Sequence, residues 1–120
     1  MPKILIVEDN ELNLKLFYDL LTIKKFSILI SRNGLDVIEI VKQEKPNVIL
    51  MDIQLNSQVS GTDLIKELKG SSDTASIPII VITAFAMKQE EEMLLKSGCD
   101  LYLSKPVSIY SFFNAIDKCL

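Results

Sequence analysis

Residues 3–13 read KILIVEDNELN, and this stretch decides how the rest of the chain is read. Ile4, Leu5, Ile6 and Val7 form a continuous β-favouring apolar run, as a strand buried on both faces requires. They lead directly into Glu8 and Asp9, two adjacent carboxylates, and then into Asn10, a residue suited to cap a helix. From Glu11 to about Ile23 the pattern is helical, with Leu12, Leu16, Leu20 and Ile23 sharing a face and Glu11, Lys15 and Asp19 elsewhere. The unit is strand, acidic turn, helix. It raises the question of why like charges are crowded where a buried strand ends.

The unit recurs. Short apolar runs at residues 26–30, 48–51, 79–83 and 101–103 alternate with segments of helical period at 35–43, 62–69, 87–97 and 108–119. Strict alternation of this kind predicts βαβ units and a doubly wound α/β domain: five parallel strands with five helices covering both faces. Leu64, Ile65 and Leu68 mark the inward face of the third helix, which Gly70 ends, and Gly98 closes the fourth. Ile109, Phe112, Phe113 and Ile116 recur at helical spacing in the last helix and read as core. Residues 70–78, GSSDTASIP, read as a loop, and the chain has neither an internal repeat nor a low-complexity segment.

At 120 residues the chain fits a single domain, residues 1–120, with no room for a separate output module. Hydrophobic residues at 48% and charged residues at 24% are those of an ordinary soluble protein. A net charge of −3, a single arginine (Arg32) and scattered lysines leave no basic patch for tracking nucleic-acid phosphates. Histidine is absent, and Cys99 and Cys119 are isolated, so an ordinary zinc site is excluded and both thiols read as buried and reduced. Without histidine the chain cannot itself be a phosphohistidine donor. No stretch has the make-up of a signal peptide or a membrane span, so the expected location is the cytoplasm, with no membrane partner.

In an open parallel sheet, ligands collect beyond the carboxyl ends of the strands. Those ends carry Glu8 and Asp9, then Asp52, then Thr83, and finally Lys105 followed by Pro106. An acidic residue after a strand is usually a cap or a solvated turn, and each of these taken singly has that explanation. Three carboxylates converging on one rim repel each other unless a cation intervenes, and an all-oxygen set without His or Cys suits Mg²⁺. The acidic pair at the end of the first strand is accordingly read as holding a hard divalent metal. A metal, a carboxylate and a lysine together form a counter-charge set for a phosphoryl group, with Asp52 as nucleophile and Lys105 pairing with a phosphoryl oxygen. The Lys105–Pro106 bond, at a strand end, is a candidate for the cis form.

The chain resembles the receiver domains of two-component response regulators over essentially its whole length, through VEDNELN, VILMDIQL, VITAFAMK and GCDLYLSKP in the same order and spacing. The resemblance implies a flavodoxin-like sheet of strand order 2-1-3-4-5 and a phosphate-accepting Asp52. It implies a magnesium site made by Glu8, Asp9, Asp52 and the backbone carbonyl of Gln54, with Lys105 on the phosphate. Thr83 is implied to turn its hydroxyl towards the phosphoryl group while Tyr102 swings inward, altering the face of the fourth helix, fifth strand and fifth helix. The implied partners are a sensor histidine kinase or histidine phosphotransfer protein upstream and a protein target on that face downstream. One departure stands out: Asn56 occupies the place of the family's usual proline, and Gly61 comes one residue late, so the loop over residues 55–61 is longer.

Three other functions fit less well. A magnesium-dependent phosphatase with an aspartyl nucleophile would carry a second acid two positions on, where this chain has Gln54. A flavin binder would need a hydroxyl- and glycine-rich loop in place of Glu8 to Leu12. A pseudo-receiver acting unphosphorylated would have lost part of the charged set, which is complete here. The expected activity is therefore a relay switch rather than a turnover enzyme.

Overall fold

The computed structural model describes residues 1–53, 60–84 and 88–120, without side chains over 88–91. Elements alternate as β1 (Lys3–Val7), α1 (Glu11–Ile23), β2 (Ser27–Ser31), α2 (Val37–Glu44), β3 (Val48–Asp52), α3 (Gly61–Lys69), β4 (Ile79–Thr83), α4 (Lys88–Ser97), β5 (Leu101–Ser104) and α5 (Ile109–Cys119). All four strand pairings are parallel and the order is β2-β1-β3-β4-β5. The predicted fold class and strand order are those observed. Boundaries move by one or two residues: β2 begins at Ser27 rather than Phe26, and α2 begins at Val37 rather than Leu35.

β1, β3 and β4 are the central strands, and every residue of β3 and β4 is buried. Side chains alternate across the sheet and form two cores. Leu5, Val7, Ile49, Met51, Ile79 and Val81 face Val37, Val41, Leu64, Ile65, Leu68 and Leu94 from α2, α3 and α4. Ile4, Ile6, Val48, Leu50, Ile80 and Ile82 face Leu14, Phe17, Leu21, Phe112, Ala115 and Ile116 from α1 and α5. Phe17 and Phe112 stack with ring centres 5.4 Å apart and join these two helices.

Asn10 caps α1 as expected, its Oδ1 accepting from the Asn13 backbone N–H at 3.0 Å. The buried face of α1 differs from the one expected. Leu14, Phe17 and Leu21 are buried, whereas Leu12 and Ile23 are 80% and 71% exposed and Leu16 is 46% exposed. Leucines occur almost all round this helix, so apolar spacing alone leaves two stripes to choose from. The stack of Phe17 on Phe112 belongs to the stripe that is buried. Ile109 likewise lies outside its expected stripe, 60% exposed at the first turn of α5, where Ala115 joins Phe112 and Ile116 in the core. Cys99 is buried and Cys119 half-buried, and neither is bonded to the other.

This choice of face is measurable. Phe17→Ala is expected to lower unfolding free energy by about 3–5 kcal/mol. Leu12→Ser should change it by no more than about 0.5 kcal/mol. Urea denaturation of both variants checks the pair, and similar losses in the two would contradict the observed orientation of α1.

Candidate functional site

Each predicted site residue that the structure describes is delivered to the rim by a strand. Glu8 follows β1, and its backbone N–H bonds Ser31 O at 3.0 Å, extending the β1–β2 ladder by one step. Asp52 is the last residue of β3, not the first residue after it, and Thr83 is the last residue of β4. Lys105 follows β5, its backbone N–H bonding Thr83 O at 2.8 Å, and the Lys105–Pro106 peptide is cis. Tyr102 lies within β5, paired with Val81. Gln54 and residues 85–87 lie outside the described residues, as does most of the 55–61 loop.

The sheet brings the acids together as expected. One carboxylate oxygen each from Glu8, Asp9 and Asp52 lie within 4.8 Å of one another. Glu8 and Asp52 are 1% and 4% exposed, and Asp9 is half-buried. The Lys105 ammonium sits 3.4 Å from Asp52 Oδ2 and 3.7 Å from Glu8 Oε1. The second distance is too long for a hydrogen bond, and neither Glu8 oxygen has a hydrogen-bond partner among the described residues. A buried carboxyl group in that position is costly in its charged form. Loss of solvation pushes Glu8 up to about 8, aided by the closeness and charge of Asp52 and opposed by Asn13 and Lys105. Oxygen donors only, buried, mutually repelling and with two lone-pair-bearing oxygens unsatisfied, fit a small hard divalent cation.

Sequence reasoning missed one contributor, Asn13, and the role of another, Gly61. Asn13, one turn into α1, acts on Glu8 from the helix side, and only its position three residues after the Asn10 cap hints at this. Gly61 opens α3 against the chain just beyond Asp52: a Cβ there would lie 3.0 Å from Ile53 Cα and 3.1 Å from Asp52 O. The late glycine is thus placed where a larger residue would press α3 against the backbone of the Asp52 strand end.

A doubly wound sheet with an acidic rim and a facing lysine defines a class, and comparison with known proteins agrees. The response regulator receiver domain matches residues 4–117, and the chain belongs to that family. The polar-differentiation response regulator DivK of Brucella anthropi is 46% identical over 121 residues, covering 100% of this chain and 98% of the relative. DivK of Brucella ovis is 44% identical over 117 residues, covering 98% and 94%. Among solved structures, the receiver domain of sensor histidine kinase PA1611 from Pseudomonas aeruginosa, with a magnesium ion coordinated in its active-site cleft, superposes with TM-score 0.89. It is 25% identical, covering 98% of this chain and 95% of that one. Vibrio cholerae CheY4, 18% identical with TM-score 0.91 and covering 100% and 99%, shares the fold. Among the described residues no helix is long and apolar enough to cross a membrane.

The raised Glu8 carboxyl has a consequence for stability. Below about pH 4.5 Glu8 is protonated in both folded and unfolded chains. Between there and about 8 the folded chain holds a proton that the unfolded chain has released, so stability falls as pH rises. Metal-free protein in chelator is expected to melt at progressively lower temperature from pH 5 to pH 8. Glu8→Gln should flatten that slope, and scanning calorimetry across the range checks both. A Glu8→Gln slope equal to the parent's would show that Glu8 is not the group responsible.

Proposed function

We propose that this chain is a phosphorelay switch that takes a phosphoryl group from a partner's phosphohistidine onto Asp52. The observation that carries the reading is the rim itself: a buried Asp52 at a central strand end, with Lys105 at 3.4 Å and two further carboxylates beside it. An Asp52 carboxylate oxygen would attack phosphorus, the P–N bond to the donor imidazole would break with its electron pair going to the ring nitrogen, and an acyl phosphate would remain. Lys105 would move from the carboxylate to a phosphoryl oxygen, balancing added charge. Glu8, Asp9 and Asp52, with the Gln54 carbonyl, would hold Mg²⁺. When bound, the metal supplies the counter-charge for the phosphoryl oxygens.

Thr83 ends the neighbouring strand and is 1% exposed, and its hydroxyl would turn towards a group added at Asp52. Tyr102, half-buried against the α2–α4 core, is the proposed readout, and the α4–β5–α5 face is the proposed surface for a downstream protein. The donor has a different surface. Asn13, Leu16, Phe17, Lys105, Pro106 and Val107 line an open groove of about 360 Å³, and Leu16 is partly exposed there. An apolar groove ending at Lys105 suits a histidine kinase or phosphotransfer protein presenting its histidine. The likeness to DivK supports a role in cell-cycle or developmental control.

Incubation with acetyl phosphate and magnesium should add one phosphoryl group to the parent and none to Asp52→Asn, read by intact mass. Labelling of Asp52→Asn at the parent's level would remove Asp52 as acceptor. Thr83→Ala should still label but lose the phosphorylation-dependent rise in affinity for a downstream partner. Leu16→Asp is expected to slow transfer from a phosphohistidine protein by about tenfold or more, as loss of a central apolar contact does. Its labelling by acetyl phosphate should stay within about twofold of the parent's, as for an exposed position away from the reacting atoms. Equal slowing with both donors would place Leu16 in the chemistry instead of the docking.

A further inference from the structure

At the opposite end of the sheet from Asp52, Lys69 is buried deeply for a lysine, its side chain 18% exposed. It is the last residue of α3, and its ammonium donates to Ala75 O at 3.1 Å, Ile77 O at 2.9 Å and Asp100 Oδ2 at 2.8 Å. All three ammonium protons therefore have acceptors. The same Asp100 oxygen accepts the Ile79 backbone N–H at 2.8 Å, while Asp100 N–H donates to Ile79 O at 2.9 Å. Asp100 stands immediately before β5, and Ile79 is the first residue of β4. The stem of Lys69 runs beneath Gly98, the residue after α4, where a Cβ would meet Lys69 Cγ at 3.2 Å. Gly98 has φ +101°, a conformation that side chains disfavour. One side chain thus ties α3, the 70–78 loop, the start of β4 and the turn from α4 to β5 into one knot.

That knot lies on the edge that carries the proposed readout. Four residues up β4 from Ile79, about 13 Å at 3.3 Å per residue, stands Thr83. The β5 register places Tyr102 beside Val81 and Ser104 beside Thr83. At this upper end β5 meets β4 through backbone bonds such as Lys105 N–H to Thr83 O. We propose that Lys69 is a positioning residue, the fixed anchor of the α4–β5 edge. With the lower end pinned, a change at Thr83 moves the upper end of β5 as a lever about residues 97–100, and does not slide the edge as a whole. The lever part rests on the switching reading of Thr83 and Tyr102 given above. The anchor does not.

Residue-resolved amide exchange on the full chain tests both parts, with and without acetyl phosphate and magnesium. In unmodified protein, Lys69→Met is expected to speed exchange at Ile77, Ile79 and residues 97–101 by about tenfold or more, the size expected for loss of charge-assisted bonds. Residues 4–7 and 48–51 should stay within about twofold, which a loss of global stability would not allow. Asp100→Asn, which keeps an acceptor for Ile79 but removes the charge, should give the same pattern more weakly and guards against a Lys69 variant that fails to fold. In phosphorylated parent, exchange should change at residues 102–104 and hold at 97–100; in both variants the change should spread into 97–100. Uniform acceleration across the sheet in either variant, or none, overturns the anchor. Equal phosphorylation-dependent change at 97–100 and 102–104 in the parent overturns the lever. Intact mass of the same samples reports labelling separately, so an unlabelled parent removes the Asp52 reading while the anchor stands or falls on the unmodified protein.

Discussion

A carboxyl group that the fold buries without a hydrogen-bond partner among the described residues is the constraint around which this molecule is arranged. Glu8 sits at the end of β1, between β2 and β3, and is shut off from solvent. Desolvating it opposes folding, and the nearby Asp52 adds to that opposition. The offset comes from the strand that carries it. Ile4, Leu5, Ile6 and Val7 are 0–1% exposed and divide themselves between two cores, so β1 is held from both faces. A local arrangement this unfavourable persists only where its surroundings over-determine it, and such places are where function is stored.

What could be read from the chain directly follows from the same constraint. Continuous apolar runs in β1, β3 and β4 have one interpretation, a strand covered on both faces, and their ends can lie in only one place in a parallel sheet. Glu8, Asp9, Asp52 and Lys105 were therefore legible as a group, because topology and not local pattern brings them together. The face of α1 was not. With leucine at positions 12, 14, 16, 20 and 21, spacing supports more than one stripe, and the choice is made by Phe112, almost a hundred residues away. Lys69 was illegible for the same reason: nothing near it in the chain points to Asp100, which it reaches only after α4 is in place. Gly61 could be seen as displaced from its family position, but its packing on Asp52 and Ile53 depends on the angle at which α3 arrives.

The parity of the strands adds a division of labour to this arrangement. Glu8 is two residues beyond Ile6, Asp52 two beyond Leu50 and Lys105 two beyond Leu103, and all three apolar residues belong to the α1–α5 side. Thr83 is two beyond Val81, and Val81 and Tyr102 belong to the α2–α4 side. Glu8, Asp52 and Lys105 therefore leave the sheet on one face, and Thr83 and Tyr102 on the other. On the proposed reading, a donor seated in the groove of Leu16, Phe17, Pro106 and Val107 approaches the first face, while Tyr102 reports on the second. On that reading, the signal would pass between them where β3 and β4 end side by side, at Asp52 and Thr83. A hydroxyl would suit that crossing, being small enough to be buried at 1% exposure and able to turn and donate if charge were added next door.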